Sequence, residues 1–215
     1  MAIPPQDEAG RRYGGSSAQE RRQLRYEQFL DAALDCFSEQ GLPGVGVRPV
    51  SAKAGIAPRY FRESFADRDA LLVALYDKAA AQVLRVALDV LSTDRGDQAA
   101  RVRASLDAVL HALDSDPRLA PLLFGTAIEP VLRERRERML LDYADAITAQ
   151  AVAIFPDDIE PAAFRVTSVI LSGGYIELIT WWLADRSRAS RDELLDRATG
   201  IFFAAATPAG HASPR

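Results

Sequence analysis

A helical period that is cut short, three times in a row, by glycine or proline constrains this chain most. Tyr26, Phe29, Leu30, Ala33, Leu34 and Phe37 fall at i, i+3, i+4, i+7, i+8 and i+11, which is one face of a helix. Ala32 and Cys36 flank that face. Gly41 then supplies the left-handed residue that ends helices. Leu42 to Gly46 is a loop dense in glycine and proline. A second, short helix is expected from Arg48 to Ala54, with Pro49 in its first turn, where a missing N–H costs nothing. Gly55 breaks it. A third runs from Pro58 to Ser64 and again opens on proline.

The period continues to the end of the chain. Asp67 offers an N-cap for a long helix over Ala70–Leu91. Val102, Leu106, Val109, Leu110 and Leu113 form the stripe of the next helix, which Asp116-Pro117 interrupts. Leu119–Phe124 is a short segment, and a helix follows over Ala127–Phe155 with Pro130 in its first turns. Ala162–Ala184 and Ser190–Ala205 are the last two helices. Nothing reads as a strand pair or a dinucleotide unit, and there is no internal repeat. The fold class expected is all-α: a disordered arm over 1–20, a three-helix unit over 21–68, a larger helical domain over 69–206 and a disordered tail over 207–215.

Composition narrows the class further. With 215 residues, 48% apolar and 26% charged, the chain can bury a real core as one large domain or two small ones. No apolar run reaches the roughly 18 residues of a membrane span. Met1 to Gly15 has no apolar core and does not read as a secretory signal. A cytoplasmic protein with no membrane partner is expected, and the single Cys36, unable to form an internal disulfide, agrees. The net charge of −4 argues against nonspecific binding of nucleic acid by the whole chain, but its distribution matters more. Arginines 11, 12, 21, 22 and 25 lie close together with one acid, Glu20. Residues 1 to 70 are neutral, with ten basic and ten acidic side chains, so the remainder carries the −4. A neutral front with a basic arm suits an end that meets phosphate, and it equally suits a solvated tail.

Three helices of about 18, 8 and 7 residues, separated by Gly-centred breaks, match the helix-turn-helix plan, whose last helix lies in the major groove. Within Val47–Phe65, Val50 and Ala54 face inward, Gly55 gives the tight turn and Ile56 plugs the gap. Phe61 and Phe65, four apart, anchor the third helix. Arg59, Tyr60, Arg62, Glu63 and Ser64 then face out. Arginine pairs with guanine edges or phosphates, and Tyr and Ser hydroxyls suit phosphate oxygens. An ordinary αα-corner with a polar face has the same spacing.

The residues themselves resemble the tetracycline-repressor (TetR) family of bacterial regulators over about 23–75. The resemblance rests on Phe37-Ser-Glu-Gln-Gly41, the Ala54-Gly55-Ile56 turn, Pro58-Arg-Tyr-Phe-Arg-Glu-Ser-Phe65, and Asp67-Arg-Asp-Ala-Leu71. It implies that Arg48 touches phosphate or a base edge, that Arg59 and Tyr60 face bases, that Ser64 lies beside the backbone and that Arg68 meets phosphate. Arg62 joins this set. Two positions depart from the family pattern: Val47 stands where a capping Thr is usual, and Arg62 where Tyr is usual. The resemblance also implies a homodimer, double-stranded operator DNA as partner and repression of transcription.

Ala162–Ala184 is apolar almost all round and must be buried on most sides. Gly173-Gly174 inside it costs roughly 1 kcal/mol per residue against alanine, which close approach of another helix would repay. With Trp182 and Phe202 these glycines are the expected dimer interface; burial in the monomer's own core is the alternative. The ligand pocket expected in the helical domain is apolar with a few polar groups: His111, Phe124, Thr126, Tyr143, Tyr175, Glu177 and Trp181. Each has core packing as its plainer explanation. Arg133–Arg138 reads as a solvated helical face with ion pairs. The chain has two histidines, no Glu-x-x-His pair and no P-loop, and Gly44-Val-Gly46 is a lone Gly-x-Gly. No catalysis, cofactor or metal is therefore expected. The function expected is a dimeric repressor released from a pseudo-palindromic operator by a small apolar ligand; the alternative is a helical adaptor controlled by a protein partner.

Overall fold

The computed structural model describes residues 17–93, 97–125 and 129–206. Within them every α-helix expected from the sequence is present, with no strand. The first helix, α1 (Ala18–Gln40), starts earlier than its apolar stripe because Ser17 and Glu20 form a capping box. Ser17 Oγ accepts from the Glu20 amide at 3.1 Å, and the Glu20 carboxylate accepts from the Ser17 amide at 2.6 Å. Residues 17–20, expected in the arm, are thus the cap and first turn of a helix. The rest of the expected arm and the tail lie outside the described residues.

Gly41, at φ 66°, ends α1 and donates its amide to the Phe37 carbonyl at 2.7 Å. A 3-10 turn, Leu42–Gly44, leads to α2 (Val47–Ala54). Gly46 precedes α2 without any side-chain cap, as the valine at position 47 foreshadows. Gly55 at φ 67°, ψ 23° makes the turn into α3 (Pro58–Ser64). α1, α2 and α3 pack through aromatic rings. Phe29 and Phe61 meet edge to face at 5.5 Å, and Tyr26 stacks on Phe65 at 4.9 Å. Such pairs add about 0.5–1.5 kcal/mol beyond their buried area.

α4 (Arg68–Thr93) is capped by Asp67, whose carboxylate accepts from the Ala70 amide at 2.8 Å. Then come α5 (Gln98–Ser115), α6 (Leu119–Phe124), α7 (Pro130–Ile154), α8 (Pro161–Ala184) and α9 (Arg191–Ala206). The main core runs without a gap from Phe29 and Phe61 through Leu71, Leu72 and Leu75 of α4 to Ile179, Trp182 and Leu195. The front three helices therefore share one core with the back, although the sequence divides at about residue 68. A second, smaller cluster at the far end joins Val102, Ile154, Phe164 and Phe202. Among the described residues α8 alone is long and apolar enough to cross a membrane by length and composition. That differs from the expectation of no such segment.

Candidate nucleic-acid interface and ligand cavity

Because Phe61 and Phe65 are turned into the core, at 1% and 4% exposure, the opposite face of α3 looks toward solvent. Arg59 and Arg62 are exposed there, as is Arg48 on the first turn of α2. None of these three arginines has an acidic partner among the described residues. Tyr60 is half-buried, held between two guanidinium groups: Arg25 of α1 lies 4.8 Å and Arg59 4.9 Å from its ring centre. Arg25 also pairs with Glu63 at 3.2 Å, which offsets the one negative charge on α3. Arg25 entered the sequence reading only as part of a basic stretch. The signal for its role is its position, immediately before Tyr26 on the helix that packs against α3. Lys53 is engaged by Glu39 on α1. Ser64 is half-buried, its hydroxyl inaccessible and without a hydrogen-bond partner.

Arg68 corrects the sequence reading. It does not face outward. Its Nε donates to the Val45 carbonyl at 2.7 Å, and its Nη2 donates to the Leu42 carbonyl at 2.8 Å and to Glu129 at 3.0 Å. The loop before α2 leaves carbonyls that no helix uses, and the guanidinium satisfies them. Arg68 is thus a brace between the front helices and the start of α7. A second brace is Arg118, which reaches Asp35 at 2.6 Å and Asp31 at 3.2 Å on α1 while Asp116 holds it from behind. The hydrogen bonds from Arg118 keep the Asp116 carboxyl below the usual carboxylate range.

Behind the front helices the second half of α4 joins α5, α7, α8 and α9 around a cavity of about 400 Å3. Leu84, Leu88, Val109, Ile147 and Leu178 form much of its wall. Tyr143 and Tyr175, two of the residues expected to form a pocket, line it. The others do not. His111 is exposed, since it falls two residues after Val109, on the far side of α5. Phe124 is buried in the main core instead. Glu177 is exposed and lies 3.9 Å from Arg136, and Trp181 is on the outer side of α8. Thr126 lies outside the described residues. The run Arg133–Arg138 is only partly a self-paired face: Glu134 meets Arg138 at 2.7 Å, but Arg135 reaches Asp77 on α4 at 3.3 Å.

The four residues expected at a subunit interface separate as well. Trp182 is buried at 4% exposure, donating its indole N–H to the Ala189 carbonyl at 2.9 Å, and Phe202 lines the cavity. Both belong to the chain's own interior because they sit on the inner arcs of α8 and α9. Gly173 rests near Leu140 of α7, and only Gly174 faces open space. Beside it Val166, Ile170 and Trp181 on α8 and Ile201 on α9 are large apolar residues left exposed.

Residues 29–75 match the family model described as bacterial regulatory proteins, tetR family. A comparison with curated proteins gives no significant match. Solved structures of similar fold cover nearly the whole chain. A putative transcriptional regulator from Pseudomonas aeruginosa PAO1 is 17% identical, covering 91% of this chain and 94% of its own, with a TM-score of 0.70. The fatty acid degradation regulator FadR from Bacillus halodurans is 16% identical over 89% and 97%, at 0.65. The transcriptional regulator FadR from Bacillus subtilis, solved in complex with stearoyl-CoA, is 17% identical over 84% and 97%, at 0.60. The stretch with the helix-turn-helix geometry is thus the stretch that matches the tetR-family model, and the whole chain shares its all-helical fold with solved transcriptional regulators.

Proposed function

We propose that the chain is a cytoplasmic, dimeric repressor that leaves a pseudo-palindromic operator when a small apolar ligand fills the cavity. The observation that carries this is one helix with two jobs. The first turns of α4 pack in the front core through Leu71, Leu72 and Leu75, and its later turns wall the cavity through Leu84, Leu88 and Leu91. A ligand that prefers one tilt of α4 therefore prefers one placement of α3, which is what a switch requires. The exposed row of Val166, Ile170 and Trp181, with Ile201 alongside, supports a second copy packed on α8 and α9. Ile170, Gly174 and Ile201 are also cavity residues, so the subunit contact and the ligand would sense each other. A dimer would set its two recognition helices about 34 Å apart, one turn of DNA. The stearoyl-CoA bound to the Bacillus subtilis FadR supports a lipophilic class of ligand. The depth of the cavity, which reaches between α4, α5, α7, α8 and α9, favours a small molecule over a protein partner as the controlling signal.

The test is binding of the protein to the DNA flanking its own gene, with a scrambled competitor and a salt titration. Expected is competitor-resistant binding with a steep salt slope. Arg59→Ala should weaken it by about 1–3 kcal/mol and relax specificity at one base position. Equal affinity for the scrambled sequence and an unaffected Arg59→Ala variant would refute the reading.

A further inference from the structure

We infer that the cavity receives an uncharged, lipophilic molecule with one hydrogen-bond acceptor, and that the Tyr143 phenol recognises that acceptor. This rests on the ligand-controlled reading above and narrows it. Among the described residues, no acidic side chain, lysine, arginine or histidine lines the cavity. A carboxylate or phosphate drawn into its inner, apolar part would give up much of its water and gain no counter-charge, which costs a buried ion heavily. Besides the Gln150 carboxamide the polar side chains on the wall are hydroxyls, and these are mostly committed. Ser105 donates to the Ala87 carbonyl at 2.9 Å, Ser172 to Val169 at 3.1 Å and Tyr175 to Leu106 at 2.8 Å. The Tyr143 hydroxyl is different: it has no partner and lies just behind the cavity wall, so a bound molecule meets it by displacing the side chains that cover it. A buried polar group left unmatched in this way is one that a bound molecule can complete.

Charged groups do lie close by, in a second space that also touches Tyr143. Asp77, Arg135, Arg138 and Asp142 line a smaller cavity of about 260 Å3 between α4 and α7 that shares Tyr143 and Leu84 with the first. Two acids balance two arginines there, and both arginines already hold carboxylates, Arg135 that of Asp77 and Arg138 that of Glu134. An anionic head group therefore finds no unpaired cation in either space. Burial drives the Tyr143 phenol well above its ordinary range, so it remains a proton donor. The matching ligand group is an acceptor such as a ketone, ester or ether oxygen.

The experiment uses the full chain and N-phenyl-1-naphthylamine, a neutral fluorescent probe of apolar cavities, displaced by decan-2-one or by decanoate. Tyr143→Phe and Tyr175→Phe are compared with the parent. The expected result is probe binding by all three proteins and displacement by the ketone at concentrations at least about tenfold below those of decanoate. Tyr143→Phe should weaken ketone displacement about 2- to 10-fold, the worth of one hydrogen bond, and leave probe affinity unchanged. Tyr175→Phe should not reproduce that loss. Decanoate competing as well as the ketone, or a Tyr143→Phe protein indifferent to the change, would overturn the inference while leaving a ligand cavity intact. A parent protein that does not bind the probe at all would remove the ligand-controlled reading and the inference together. Should Tyr143→Phe not fold, the ketone-to-decanoate ratio on the parent decides.

Discussion

Replacing Arg68 by methionine separates two roles that the sequence alone confuses. A basic residue opening the helix after the recognition helix can hold DNA phosphate or hold the protein together. The three hydrogen bonds of its guanidinium go to the Val45 and Leu42 carbonyls and to Glu129. A hydrogen bond to a charged group contributes about 1.5–3 kcal/mol. Three such bonds do not add in full, and the Arg68 side chain is 32% exposed, so water replaces part of what is lost. The net expectation is about 2–4 kcal/mol of destabilisation, most of it from two loop carbonyls left half-satisfied. Glu129→Gln, which leaves those carbonyls paired, should cost only about 0.5–1 kcal/mol. Urea unfolding reads both as a lower midpoint with an unchanged slope. A phosphate contact would appear elsewhere, as a loss of about 0.9 in the logarithmic salt slope of DNA binding. Arg68→Met should leave that slope alone, whereas Arg48→Ala or Arg62→Ala should reduce it. An Arg68→Met protein within about 0.5 kcal/mol of the parent and short of one phosphate contact would show the brace to be wrong.

Two glycines near the recognition helix should fail for different reasons. A Cβ on Gly44 would stand 2.6 Å from the Cys36 carbonyl oxygen and 2.7 Å from the Gln40 Cβ, so Gly44→Ala should cost about 1–3 kcal/mol and Gly44→Asn more. Gly55 has open space but φ 67°, so Gly55→Ala should cost about 1–2 kcal/mol and Gly55→Asn less, since Asn tolerates that conformation. Thermal melts that rank Asn and Ala the same way at both sites would contradict this. Arg118→Ala should cost about 1–2 kcal/mol near neutral pH, because Asp31, Asp35 and Asp116 would then face one another. The Asp116 carboxyl has a lowered folded pKa, so its share is present above the ordinary aspartate value of about 4 and is lost as pH falls through the folded value. The gap between parent and variant should therefore hold from pH 7 to 5 and close in stronger acid; a gap that widens below pH 4 would contradict the assignment.

The local part of this architecture was legible because local chemistry fixes it. The α2 and α3 boundaries fall at Gly46, Gly55 and Pro58, residues that force a break whatever surrounds them. The inward set Val50, Phe61 and Phe65 follows from helical spacing alone. What was not legible depends on partners far along the chain. Arg68 meets carbonyls 23 and 26 residues before it and a carboxylate 61 residues after it. No local pattern marks it off from Arg62, which is exposed on the helix before. Helix α8 fails for the opposite reason. It is apolar on nearly every side, so its spacing does not say which arc is inside, and Trp181 and Trp182 exchanged places between expectation and structure. The cavity shares this limit: Tyr143 and Tyr175 lie on it while His111 does not, and only the packing angle of each helix decides.

Those long-range partners also restrict how a signal can reach α3. A hinge between front and back would need few contacts to cross the boundary at residue 68. Instead α4, an unbroken helix of 26 residues that starts at this boundary, packs into the front core with its first turns and walls the cavity with its later ones. Arg68 ties the loop before α2 to α7, and Arg118 ties α1 to α6. From Leu72 in the front core to Leu88 at the cavity the helix spans about 24 Å at 1.5 Å per residue. A cavity wall pushed outward by about 2 Å therefore tilts α4 by about 5° if the helix stays straight. The braces carry α1, α2 and α3 with it as one body rather than letting α3 turn alone. Cutting the Arg118 brace should on this account uncouple the cavity from DNA more than it weakens DNA binding itself, because Arg118 touches α1 on the side away from α3 and leaves Arg48, Arg59 and Arg62 in place.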